Sequence, residues 1–454
     1  MGWESRGAET RRASSIDLAC LRSSERGCTL RGPFIDWPAE IFEDVNPLQA
    51  PGNKPKIGLV LIGGASEGGG GTGRRFARLF QHVQRTPSRS NVSLVTTPEF
   101  LELMERSSIP IDANKNVVYC ESTAIKSGAG PLDKLGHYRD ASAKLASLVT
   151  EHEFDVVHIP IPNLLYAPYL LDAPEGVRHV FSMTAAVGSF DSMHWKSQLL
   201  YRIGFEACDA IDTLYSDIAE RFPSYANKLH VSPCSFTDYS HYQPANEKER
   251  SIVFAGRLEG FKNPELFVEA TSLAADVLRQ HRWTCKLFGD GELRARVEAQ
   301  IAHYGLSDLI EIDQVPDLSS ELNRSSIFAS IQLTENYPSQ VLLEAMAAGN
   351  AVIATDVGET RKIVDEEVGL LFDPQTPENL AQAMTRLVSD DALRDRLASN
   401  ARDRILEEHT VERFAAYMEN LWVAALADPM PSPRLSRLRT GRLIAEAAAG
   451  LKFA

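Results

Sequence analysis

This sequence predicts an α/β architecture of two Rossmann-like, doubly wound parallel sheets facing each other across a cleft. Two observations carry that expectation. Short apolar runs alternate with amphipathic stretches through most of the 454 residues, and strand–helix alternation builds parallel sheets covered by helices on both faces. The alternation also occurs twice, with the polar segment Pro244–Arg250 (PANEKER) between the two series. The boundaries that follow are an N-terminal extension over 1–50, a first unit over 51–245, a second over 246–426 and a tail over 427–454.

The first series opens at Lys56–Ile62 (KIGLVLI), apolar almost throughout, as a strand buried on both faces should be. A glycine-rich loop follows, then a helix whose apolar face holds Phe76, Leu79, Phe80 and Val83. Asn91–Val95 is a strand. Thr97-Pro98-Glu99 starts a helix, with Thr as N-cap and Pro in the first turn. Strands follow at Val117–Tyr119, Asp155–Ile159, Arg178–Phe181, Ile211–Leu214 and Leu229–Val231, and Leu132–Thr150 is a helix.

The second series has strands at Ser251–Ala255, Trp283–Phe288, Leu309–Ile312, Ile327–Ile331, Ala351–Ala354 and Gly369–Phe372. Thr376-Pro377-Glu378 is another capped helix start. Asp391–Leu406 and Val411–Leu426 close the series. In the tail, Arg434, Arg437, Arg439, Arg442 and Lys452 face one acid, Glu446. It reads as a basic amphipathic helix on an anionic membrane surface, as a helix packed against the body or as a frayed end.

Composition narrows the function. Lys and Arg number 47 against 61 Asp and Glu, a net charge of −14, which argues against a nucleic-acid partner, since that needs a basic field. Six cysteines lie scattered with no CxxC pair, so the reading is reduced thiols in a cytoplasmic protein. No apolar run reaches the ~18 residues of a membrane span. The Arg- and Ser-rich start lacks an apolar h-region, and Glu4, Glu9, Asp17 and Glu25 speak against a transit peptide. It reads as a loosely ordered extension.

Two regions carry candidate chemistry. Gly68, Gly70 and Gly73 spell GxGxxG between a strand and a helix, where backbone amides and a helix N-terminus favour a phosphate. The next strand ends in Thr96-Thr97-Pro98 without the acid that a dinucleotide ribose requires, and Arg74-Arg75 replaces the Lys-Ser/Thr of an ATP loop. Gly70 and Gly71 therefore remain candidates for a sugar diphosphate or an acceptor. In the second half, Phe254-Ala255-Gly256-Arg257-Leu258 and Phe261-Lys262-Asn263-Pro264 put two cations at the carboxyl end of a strand. A guanidinium and an ammonium there suit a pyrophosphate whose charge grows as it leaves. Leu287–Glu292 forms a strand–Gly289–helix turn on the same edge. The stretch Thr334-Glu335-Asn336-Tyr337-Pro338-Ser339-Gln340 leads into a helix bearing Glu344.

These motifs resemble those of the retaining glycosyltransferases of family four, which have the GT-B fold. The acidic segment, the Gly256-Arg257…Lys262 segment, Val357-Gly358-Glu359-Thr360, the strand Gly369–Phe372 and the helix from Asp391 through Asn400-Ala401-Arg402 all match. The likeness covers roughly residues 55–425 and is most specific from 250 to 405. It implies an acceptor-side first unit and a donor-binding second unit. Arg257 and Lys262 would hold the donor diphosphate, Glu344 the ribose hydroxyls, and Glu335 would face the transferred sugar. Asn336, Ser339 and Gln340, with Gly256 and Gly289, would line the donor site. Eight residues separate Glu335 from Glu344, one more than in the family, so either Glu335 or Asn336 faces the sugar. Thr184 stands where the family often has a His.

The implied activity is hexosyl transfer from a nucleoside-diphosphate sugar to a glycan, lipid or small-molecule hydroxyl, with retention and with no metal or other cofactor. The implied place is cytoplasmic, with the tail able to meet the inner membrane face. The alternatives are a catalytically silent sugar-nucleotide-binding subunit and a nucleotide-sugar epimerase of the same fold.

Overall fold

The computed structural model describes residues 54–62, 71–120, 130–161, 166–171, 173–315, 317–335 and 337–427. The extension, the tail from 428, Asn336 and Gly68 and Gly70 of the glycine-rich loop lie outside the described residues.

Among those residues the strands form two parallel sheets, as the alternation predicts. The first contains β1 (Lys56–Leu61), β2 (Asn91–Thr96), β3 (Val117–Tyr119), β4 (Val156–Ile159), β5 (Arg178–Met183), β6 (Ala210–Thr213) and β7 (Leu229–Val231), in the order β3-β2-β1-β4-β5-β6-β7. The second contains β8 (Glu249–Ala255), β9 (Thr284–Phe288), β10 (Ile310–Asp313), β11 (Ser325–Ser330), β12 (Ala351–Thr355) and β13 (Gly369–Phe372), in the order β10-β9-β8-β11-β12-β13. Ile57, Leu59, Val60 and Leu61 of β1 are fully buried, which is why that strand carries no polar alternation. Thr97 and Thr376 cap their helices, accepting from the amides of Phe100 and Asn379, and so satisfy N–H groups that have no partner within the helix.

The helix Val411–Ala427 follows the second series in the chain, which the sequence reading extends through residue 426, and it packs on the first sheet. Phe414, Met418, Leu421 and Trp422 are buried in one cluster with Ile57, Leu59, Phe76 and Phe80. Trp422 Nε1 donates to His158 Nδ1 at 3.2 Å. The His158 proton therefore sits on Nε2, which meets Ser182 Oγ at 3.0 Å, and Ser182 in turn donates to Asp212 at 2.9 Å. The Arg75 guanidinium lies 3.9 Å from the Phe414 ring centroid and donates to Ser232, Ser235 and the Cys234 carbonyl. Arg75 is thus a strut for this helix. His158 and His179 are buried, and so are Cys208, Cys234 and Cys285.

A second buried cluster runs from Val157, Phe181 and Ile211 of the first sheet to Phe328 and Val352 on the second and Tyr337 in the loop after β11. No helix among the described residues is long and apolar enough to cross a membrane.

Candidate active site

The strand order reverses once in each sheet, between β1 and β4 and between β8 and β11. Chains leave such a switch point in opposite directions, and the crevice outside the strand carboxyl ends there is where open α/β sheets hold ligands.

The two cations stand on the β8 side of the second switch. Arg257 follows Gly256 directly, and Lys262 ends the short turn Gly260–Lys262. Both charges lie 5.4 Å from the Phe261 ring centroid, and Arg257 also pairs with Glu259 at 2.9 Å. The Lys262 stem runs beside Gly256, 3.9 Å from where a Cβ would stand. Burial, and then the Arg257 charge, push the Lys262 ammonium down to about 8. The turn after β9 presses on the turn after β8. Gly256 N donates to the Phe288 carbonyl at 3.0 Å, and a Cβ at Gly289, where φ is +152°, would overlap the Gly256 carbonyl oxygen.

The acids leave from the β11 side. Leu333 N donates to the Phe261 carbonyl at 2.9 Å, which ties the loop after β11 to the cation turn. Glu335 Oε1 accepts from the Glu359 amide at 3.0 Å. Burial and then Asp217 raise the Glu335 carboxyl above its usual range. Ser339 is buried at the N-cap of the helix Gln340–Ala347 and makes no side-chain cap bond, while Gln340 is exposed. Glu344 is a little over a turn further along. Burial pushes it up to about 7 against a hydrogen bond from Tyr242 and the charges of Arg78 and Arg74.

The structure therefore brings Gly256, Arg257, Lys262 and Gly289 together on adjoining turns and puts Glu335 on the next strand's loop. Glu344 meets groups from the first unit and from the segment before β8. Gly71 begins the helix Gly71–Arg85 and is exposed. Arg78, Tyr242 and Asp217 lie beside these acids and were not singled out from the sequence, and Glu359 entered there only within the Val357–Thr360 match. Arg74 and Arg78 could have been found, since they lie four residues apart and so share one helix face, while Arg75 falls on the apolar face. Thr184 bonds Thr72 at 2.7 Å, and His194 caps the helix Trp195–Ala207.

Solved structures align over both sheets. A glycosyltransferase from Rickettsia africae ESF-5 covers 83% of this chain and 100% of its own, with 14% identity and a TM-score of 0.61. Anabaena HepE in complex with UDP covers 82% and 100%, with 15% identity and a TM-score of 0.64. The fold is GT-B. Within this GT-B chain, residues 236–404 match the family model of the glycosyl transferases group 1. An α-1,4-N-acetyl-D-galactosaminyltransferase of Campylobacter jejuni, named for a diNAcBac-PP-undecaprenol-linked glycan, is 27% identical over 46% of this chain and 58% of its own length. The D-inositol 3-phosphate glycosyltransferase of Paenarthrobacter aurescens is 31% identical over 32% of this chain and 36% of its own. The chain thus spans about half or less of these relatives.

Proposed function

We propose that this chain transfers a hexosyl group from a nucleoside-diphosphate sugar to a hydroxyl of a glycan or lipid-linked acceptor, with retention at the anomeric carbon. The observation that carries the reading is the position of Arg257 and Lys262 beside the Glu335 loop at the β8–β11 switch point. Two cations at a strand edge stabilise a departing diphosphate, and the uncapped start of the helix Gln340–Ala347 adds backbone amides and a favourable dipole. The Glu344 carboxylate suits vicinal ribose hydroxyls, and Glu335 or Asn336 would face the sugar. The bond from the anomeric carbon to the phosphate oxygen breaks and the bond to the acceptor oxygen forms. The acceptor proton passes to the leaving phosphate, so the chain needs neither a strong base nor a metal.

The HepE structures with UDP and with UDP-glucose make uridine nucleotides the first donors to try. Thermal shift against UDP-, GDP- and ADP-sugars should give stabilisation with one base class, and Lys262→Ala and Glu344→Ala should each abolish it. An unchanged shift in both variants would remove the donor assignment, and loss of transfer in a chelator would remove the metal-free mechanism.

A further inference from the structure

We propose that Glu359 is a positioning residue: it clasps the first unit and thereby seats the Glu335 carboxylate. This rests on the transferase reading above. Glu359 lies in the turn Gly358–Lys362 that follows β12, and its carboxylate reaches the chain leaving β6 on the other sheet. Glu359 Oε1 accepts both from the Ser216 amide and from the Ser216 hydroxyl, each at 2.6 Å. Its other oxygen pairs with Lys362 at 3.1 Å. Lys362 Nζ donates onward to the Leu214 carbonyl at 3.2 Å and lies 5.5 Å from the Tyr337 ring centroid. Beside it, the Tyr215 hydroxyl donates to the Tyr337 carbonyl at 2.7 Å.

The residue whose side chain holds the first unit is also the residue whose amide holds Glu335. Gly358, at φ +49°, completes the seat, because a Cβ there would overlap the Glu335 carboxylate. The turn therefore links two events. When Ser216 and Glu359 are joined, the 358–362 turn is fixed and Glu335 has a defined hydrogen-bond donor. When they separate, the turn is held by its own unit alone, and the Glu359 carboxylate loses the two donors of Ser216. A misplacement of about 1 Å at a reacting group can cost about a hundredfold in rate, so a clasp of this kind confines turnover to the joined arrangement of the two units.

The test compares Glu359→Ala, Glu359→Gln and Gly358→Ala by steady-state transfer kinetics and by amide hydrogen exchange at Ser216. Glu359→Ala should lower kcat by about tenfold or more, change the donor KM by less than about threefold, and accelerate exchange at Ser216. Glu359→Gln keeps an oxygen for Ser216 and should recover part of both. Gly358→Ala should lower kcat while Ser216 stays protected, because it disturbs the seat and leaves the clasp intact. Unchanged exchange in Glu359→Ala overturns the clasp, and faster exchange with kcat within about twofold of the parent overturns the positioning role. Absence of transfer by the parent protein on any donor overturns the transferase reading, and the positioning role with it, while the exchange rate still reports whether the clasp exists.

Discussion

Two side chains at the candidate site titrate near neutrality, which fixes the pH dependence of donor binding. Burial raises Glu344 to about 7 and lowers Lys262 to about 8. A ribose hydroxyl needs the ionised carboxylate as acceptor, and a diphosphate needs the protonated ammonium. Donor affinity should therefore weaken as the pH falls through 7 and weaken again as it rises through 8. Calorimetric titration of donor across that range should show both limbs, and Glu344→Gln should remove the acid limb alone; a flat profile for the parent protein would contradict the assignment. At this scale the sequence was informative where charge stood beside glycine and proline, as at Gly256-Arg257 and Lys262-Asn263-Pro264. It was silent on Tyr242 and Asp217, which lie far along the chain from the acids they influence.

Single elements were legible where their signals are local. Thr97 and Thr376 cap because a threonine followed by proline satisfies the first turn from within a few residues. The Gly256 and Gly289 turns are a different case. Each follows its own strand, but the glycine at 289 is required by the carbonyl of 256. Gly289→Ala should force the turns apart and cost about 1–3 kcal/mol, read as a lower midpoint in denaturant together with weaker donor binding. Retention of both would mean that the turns tolerate separation. Arg75 makes a similar point: it adjoins Arg74 in the sequence just after the glycine-rich loop, but its helix phase turns it inward under Phe414.

At the scale of the whole molecule, the helix Val411–Ala427 makes the first sheet dependent on residues that follow the second sheet in the chain. Trp422 is fully buried and bonded to His158, and Glu419 pairs with Arg89 at 3.1 Å. Trp422→Ala should cost about 3–5 kcal/mol, and the loss should appear first as faster amide exchange in β1 and β4 rather than in β8 to β13. Equal loosening of both sheets would argue against this dependence. Sequence reading placed the helix with its neighbours in the chain, because a helical pattern tells which face is apolar and not which sheet that face meets.

The strands, the helix starts, the two-sheet division and the cation turn were determined by the sequence alone, since each depends on residues within a few positions of one another. The order of the strands, and hence the switch point between β8 and β11 that sets the Arg257–Lys262 turn beside the loop carrying Glu335, was decided only by the tertiary structure. So were the return of the helix Val411–Ala427 to the first sheet and the Ser216–Glu359 bond. The reason is that parallel pairing and packing join residues tens to hundreds of positions apart, and no local pattern records which distant partner a strand edge or an apolar face will find.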